Sequence, residues 1–134
     1  MRILKFGGTS VFYLDRVLQI VENVMEQERV CVVVSAVSNT TKLLRSGKVH
    51  AVRTLYLKWA KSIANVAHMI HAFWDNIEHL YELPSTPARN DMILSSGERC
   101  AAFVLDKAIQ QAIGPSLFYD DLTVCGPHGD AKIV

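Results

Sequence analysis

A chain of 134 residues is long enough for one domain with a sizeable core. Half of it is hydrophobic and 20% is charged, which excludes a disordered tail or a low-complexity linker. A formal net charge of +1 gives no bulk drive toward nucleic acid or an acidic membrane surface.

Met1-Arg2-Ile3-Leu4-Lys5 is charged again before an apolar signal core can form, so no secretory leader is expected. No stretch reaches the roughly 18 unbroken apolar residues of a membrane span, so no membrane partner is expected. Cys31, Cys100 and Cys125 are odd in number and widely spaced, with no Cys-x-x-Cys. Neither a disulfide framework nor a zinc site is indicated, and a reducing, cytoplasmic setting fits.

The first strand is expected over Arg2 to Phe6. It runs into Lys5-Phe6-Gly7-Gly8-Thr9-Ser10, and a helix is expected from Asp15 to Gln27, where Val17, Leu18, Ile20, Val21, Val24 and Met25 recur at helical spacing. The order is strand, glycine turn, helix. Adjacent glycines let backbone approach an anion closely and adopt positive φ without penalty. Their N–H groups and the following helix start can cradle an anion, with Lys5 as a mobile charge beside them. The hexapeptide is neither a Walker A loop nor a dinucleotide fingerprint, and a plain turn with a solvated lysine is the competing reading.

Arg29 to Val34 is valine-rich without alternation, the pattern of a parallel strand covered on both faces. Strand, helix and strand within about 35 residues make a βαβ unit. Ser35 to Thr41 is small and polar and lies past the strand's C-terminal end, where open α/β sheets bind ligands. An ordinary capped loop is the alternative.

From His50 to Tyr81 there is no Gly or Pro, and Val52, Leu55, Trp59, Ile63, Val66, Ile70, Phe73, Ile77 and Leu80 step by three and four. One long helix or a broken pair both satisfy this pattern. Leu83 to Pro87 breaks the chain, with Thr86 as N-cap and Pro87 opening the next helix. That helix is expected through Ser95-Ser96-Gly97-Glu98-Arg99 to Ile113, stopped by Gly114-Pro115. Leu117-Phe118-Tyr119 reads as a strand and Cys125 to Asp130 as loop.

His68, His71 and Asp75 share a helix face, but three ligands from one helix leave a metal open, so no metal site is assigned. Lys42, Arg45, Lys48 and Arg53 read as a solvated basic face without aromatic platforms, so no nucleic-acid site is expected. Gly97 inside a helix costs about 1 kcal/mol against alanine and marks close backbone approach or a break. Glu98 beside it can offer a carboxylate to a ligand ammonium, or pair with Arg99 at the surface.

Three stretches occur in order: Lys5-Phe6-Gly7-Gly8-Thr9-Ser10-Val11, Val33-Val34-Ser35-Ala36 through Thr41, and Leu94-Ser95-Ser96-Gly97-Glu98-Arg99. With them the chain resembles the N-terminal part of the catalytic domain of the aspartate kinases, in the amino-acid kinase family. Phe118-Tyr119-Asp120 and Gly129-Asp130-Ala131 extend a weaker likeness, so the resemblance covers residues 1–134. It implies ATP-dependent phosphorylation of the L-aspartate side-chain carboxylate, with ATP carried as its Mg2+ complex, in biosynthesis of the aspartate-family amino acids. It implies Lys5 as the catalytic charge; Gly7, Gly8, Thr9 and Ser10 at the phosphates; and Ser35, Thr41 and Glu98 on the amino acid. Phosphoryl transfer asks mainly for positioning and charge neutralisation, which fits this residue set.

The chain departs from the family pattern at Asn39, where a glycine is usual, and at Lys42, where an asparagine is usual. The helical region between Thr41 and Glu98 is shorter. Nothing here matches the family's later Gly-Arg-Gly-Gly-Ser-Asp type motif or its regulatory ACT domains. A fragment or a truncated descendant, inactive as the isolated 134 residues, is therefore expected; a non-catalytic amino-acid-binding or interaction module is the alternative. The expected fold is a three-layer α/β domain whose mostly parallel sheet comes from residues 2–6, 30–35 and 116–119 with flanking helices. Its open sheet edge favours a homo-oligomer.

Overall fold

In the computed structural model, residues 1–118 and the backbone of Leu122–Val124 and Ala131–Ile133 are described. Strand β1 (Arg2–Phe6) pairs in parallel with β2 (Val30–Val34), Arg2 opposite Val30 and Phe6 opposite Val34. The Ser35 N–H donates to the Phe6 carbonyl at 3.0 Å and carries the ladder one step past the strands. A single helical turn, α1 (Gly8–Val11), and the longer α2 (Leu14–Met25) connect them. Leu14, Val17 and Val21 of α2 are buried at spacings of three and four, so one stripe of the helix faces the core.

The sheet is covered on one face. Leu4, Phe6, Val32 and Val34 join the core, and α2 lies against both strands. On the other face Ile3 is 65% exposed and Val33 is 38% exposed. Cover on both faces, expected from the valine run, is not found among the described residues. An unalternating apolar run records only that both strand faces tolerate burial.

The 50–81 region is two helices. Helix α3 (Thr40–Arg45) precedes α4 (Val49–Trp59), and α5 (Ala67–Tyr81) follows a turn in which Asn65 has φ 62°. The Gln111 side chain closes that turn, donating to the Ala64 carbonyl at 2.6 Å and accepting its N–H at 3.1 Å. Arg53 of α4, its side chain 12% exposed, clamps α5 through Asp75 at 2.7 Å, Glu78 at 2.9 Å and the His71 carbonyl at 3.0 Å. Burial works against its charge, but these carboxylates outweigh that and raise its pKa. Arg53 is thus a packing residue rather than part of a solvated basic face.

Thr86 caps α6 (Pro87–Leu94) as expected, its hydroxyl accepting the Arg89 N–H at 3.1 Å. The helix breaks at Ser95 and resumes as α7 (Ser96–Ala112), which also contacts β2. At the break the buried Ser96 hydroxyl donates to the Ile93 carbonyl at 2.5 Å, a local bond that competes with helix propagation. At the core centre Tyr56 and Trp74 are both fully buried, with ring centroids 5.3 Å apart.

Past α7 the expected third strand is absent from Leu117 and Phe118, which have no regular structure; Tyr119 lies outside the described residues. Instead β3 (Leu122–Val124) pairs antiparallel with β4 (Ala131–Ile133), Leu122 opposite Ile133. Three apolar residues do not fix a strand without a partner edge, and among the described residues the parallel sheet has two strands. The loop expected over Cys125 to Asp130 lies outside the described residues.

Candidate functional site

The β1-to-α1 turn is built without left-handed backbone. Gly7 is extended, with φ −73° and ψ 172°, and positive φ among the glycines described occurs only at Gly47. The two glycines instead make room. A Cβ on Gly8 would stand 2.9 Å from the Ala36 carbonyl oxygen, whereas one on Gly7 would meet nothing within 4 Å. Gly8 therefore lets the turn touch the loop after β2, and Gly7 leaves backbone open to a ligand. Within α1 the N–H groups of Gly8, Thr9 and Ser10 have no acceptor one turn earlier in the helix; Val11 N–H is the first to bond back, to Gly7 at 2.8 Å.

That loop is held from inside. Asn39 takes φ 73°, the conformation that glycine or asparagine adopts most readily, so the departure from glycine keeps the turn. The Thr40 hydroxyl, 1% exposed, donates to the Val37 carbonyl at 2.6 Å. Tyr56 accepts the Val37 N–H at 3.1 Å, lies 3.1 Å from Thr40 Oγ1 and donates to the Gly97 carbonyl at 3.0 Å. Burial pushes the Tyr56 phenol well above its ordinary value, against the opposing pull of those Thr40 and Val37 bonds, so it acts as a neutral hydroxyl.

The result is a cleft of about 400 Å³ lined by Gly8, Ser35 to Lys42, and Glu98. Four sequence-derived candidates, Gly8, Ser35, Thr41 and Glu98, meet there from three separate segments. Lys42 lines it too, so the cleft presents one ammonium and one carboxylate among hydroxyls, a set suited to a zwitterion. Glu98 is exposed and makes no ion pair among the described residues. The surface Glu98–Arg99 pair is not formed. Arg99 instead donates to the Met92 carbonyl at 3.0 Å and stacks 5.7 Å above the Phe73 ring.

Lys5, Gly7, Thr9 and Ser10 are exposed and lie outside the cleft lining. Lys5 sits opposite Val33 in register and makes no ion pair among the described residues. Among the His68, His71 and Asp75 set, Arg53 engages His71 and Asp75, and no group of three metal-ligating side chains stands together among the described residues.

Sequence reasoning missed Thr40 and Tyr56. Thr40 sits within a mostly polar run, and Tyr56 falls on the Val52 and Trp59 stripe, where it reads as one more apolar position. The one available signal is that a tyrosine inside a buried helix needs a hydroxyl partner. No protein-family model matches the chain, and no curated protein matches it.

Proposed function

We propose that the cleft binds L-aspartate and that the chain carries this part of an ATP-dependent aspartate kinase site. The observation that supports it is the meeting of Gly8, Ser35, Thr41 and Glu98, drawn from three ordered segments, around one cleft of amino-acid size. Glu98 would hold the ammonium. Lys42, in place of asparagine, adds charge for a carboxylate, and Ser35 and Thr41 supply hydroxyl contacts. The open Gly7 backbone, the N–H groups of the turn and Lys5 would neutralise the transferring phosphoryl group. The substrate carboxylate is itself the nucleophile, so no strong base is needed.

This reading includes a three-layer sheet domain with a helical layer over the Ile3 and Val33 face, a cytoplasmic setting and a homo-oligomer. A second reading, an amino-acid-binding module without turnover, draws on the position of Lys5 outside the cleft lining. Calorimetric titration with L-aspartate, with Glu98→Gln as partner variant, tests the binding step; no saturable heat with wild type rejects the proposal. In a longer chain that also carries a nucleotide-binding half, acyl phosphate trapped with hydroxylamine and lost in Lys5→Ala favours the kinase reading, and no trapped product favours the binding module. The isolated 134 residues are expected to bind aspartate without turnover, and steady aspartate-dependent ATP turnover by a monomer would contradict that expectation.

A further inference from the structure

We infer that Tyr56, which lies outside all three motif segments, is the positioning residue that fixes the two walls of the cleft relative to each other; as a statement about ligand affinity this rests on the amino-acid reading above. Among the described residues its phenolic oxygen is the one atom hydrogen-bonded to both walls. It accepts the N–H of Val37 at 3.1 Å on the loop side and donates to the Gly97 carbonyl at 3.0 Å, next to Glu98. The proton count makes the arrangement directional. Two hydroxyl protons are available. The Thr40 proton goes to the Val37 carbonyl at 2.6 Å, which also accepts the Thr40 N–H at 3.1 Å, and the Tyr56 proton goes to the Gly97 carbonyl, so the phenolic oxygen is left free to accept the Val37 N–H.

One turn further along α4, Trp59 Nε1–H donates to the Val11 carbonyl at 2.9 Å and so holds the end of α1. The two rings meet edge to face, centroids 5.7 Å apart. A single turn of α4 therefore ties down the glycine turn, the polar loop and the start of α7. Tyr56 is 0% exposed, so no water replaces its hydroxyl when it is lost.

Tyr56→Phe keeps the ring and removes the three contacts. Val17→Ala, on the sheet-facing stripe of α2 and outside the cleft lining, serves as a control of comparable general destabilisation. Both are measured in the full chain by amide hydrogen exchange and by L-aspartate titration. The expected result for Tyr56→Phe is faster exchange confined to residues 35–41 and 96–98, with aspartate binding weakened about tenfold. Val17→Ala is expected to lower the melting temperature without either effect. Exchange in those two segments that is unchanged by Tyr56→Phe, or equally raised by Val17→Ala, overturns the proposal. If wild type binds no aspartate, the amino-acid reading fails, and the exchange pattern alone decides the role of Tyr56.

Discussion

Gly97 and Ala36 approach so closely that no side chain fits between them: a Cβ on Gly97 would stand 2.7 Å from the Ala36 Cβ. The same Cβ would lie 2.6 Å from Thr40 Cγ2 and 3.1 Å from the Tyr56 hydroxyl oxygen. Alanine would gain about 1 kcal/mol of helix propensity, but overpacking at three rigid contacts costs about 1–3 kcal/mol and wins. Gly97→Ala is expected to lower stability and to weaken aspartate binding together, read by denaturant melts and titration. Gly114→Ala, with nothing within 4 Å, is the neutral comparison.

The two glycines of the turn are expected to separate. Gly8→Ala drives a Cβ to within 2.9 Å of a backbone carbonyl and should destabilise the fold by about 1–3 kcal/mol. Gly7→Ala meets open space at an ordinary φ of −73° and should leave the melting temperature unchanged or slightly raised. Thermal unfolding of both variants checks the order.

Arg53 carries a charge between α4 and α5 that leucine cannot replace. Arg53→Leu strips partners from Asp75 and Glu78, which water can partly replace, and is expected to cost about 1 kcal/mol or less in chemical denaturation. Arg53→Lys should recover only part, because an ammonium cannot reproduce the fork that meets two carboxylates and a carbonyl.

Burial pushes up both the Cys100 thiol, from an ordinary 9.0, and the Tyr56 phenol, from 10.0. In the unfolded chain these groups ionise at their ordinary values while the folded chain keeps its protons, so the unfolded state binds fewer protons. Their contribution is complete below about pH 9 and is lost as pH rises beyond it, by up to about 1.4 kcal/mol per pH unit for each group. Melting temperatures across the alkaline range should fall from that point. Cys100→Ala should move the first downturn toward the tyrosine value.

The outer face of β1 and β2 is open, with Ile3 and Val33 exposed beside Lys5. Unpaired edges and such a face favour pairing between copies. Sedimentation velocity is expected to show concentration-dependent association that Val33→Lys reduces without unfolding the chain. Association unchanged by that substitution would place the contact elsewhere.

Much of this protein was written locally. The β1 and β2 segments, the turn between strand and helix, the stop at Gly114 and the Thr86 cap follow from apolar period, glycine chemistry and short-range hydrogen bonding, all set by residues within a few positions. Gly8 and the Ser35 to Thr41 loop stood out by their place at strand and helix ends, but Ser35, Thr41 and Glu98 became candidates for one ligand only through the resemblance carried by the three ordered stretches. Asn39 takes a positive φ that asparagine tolerates better than most residues, so its turn could be expected from the residue type alone.

What the tertiary structure decided is everything that depends on which distant groups meet. The split of 50–81 rests on Gln111 reaching Ala64, and the single covered sheet face on what α2 and α7 leave bare. Arg53 reads as a surface cation until His71, Asp75 and Glu78 arrive from the next helix. Tyr56 reads as one more apolar position until its hydroxyl finds Val37 and Gly97, 19 and 41 residues away in the chain. Periodicity records which face of a helix is buried; it holds no information on the partner that buries it, because a buried polar group is satisfied by whatever the folded chain brings within hydrogen-bond reach.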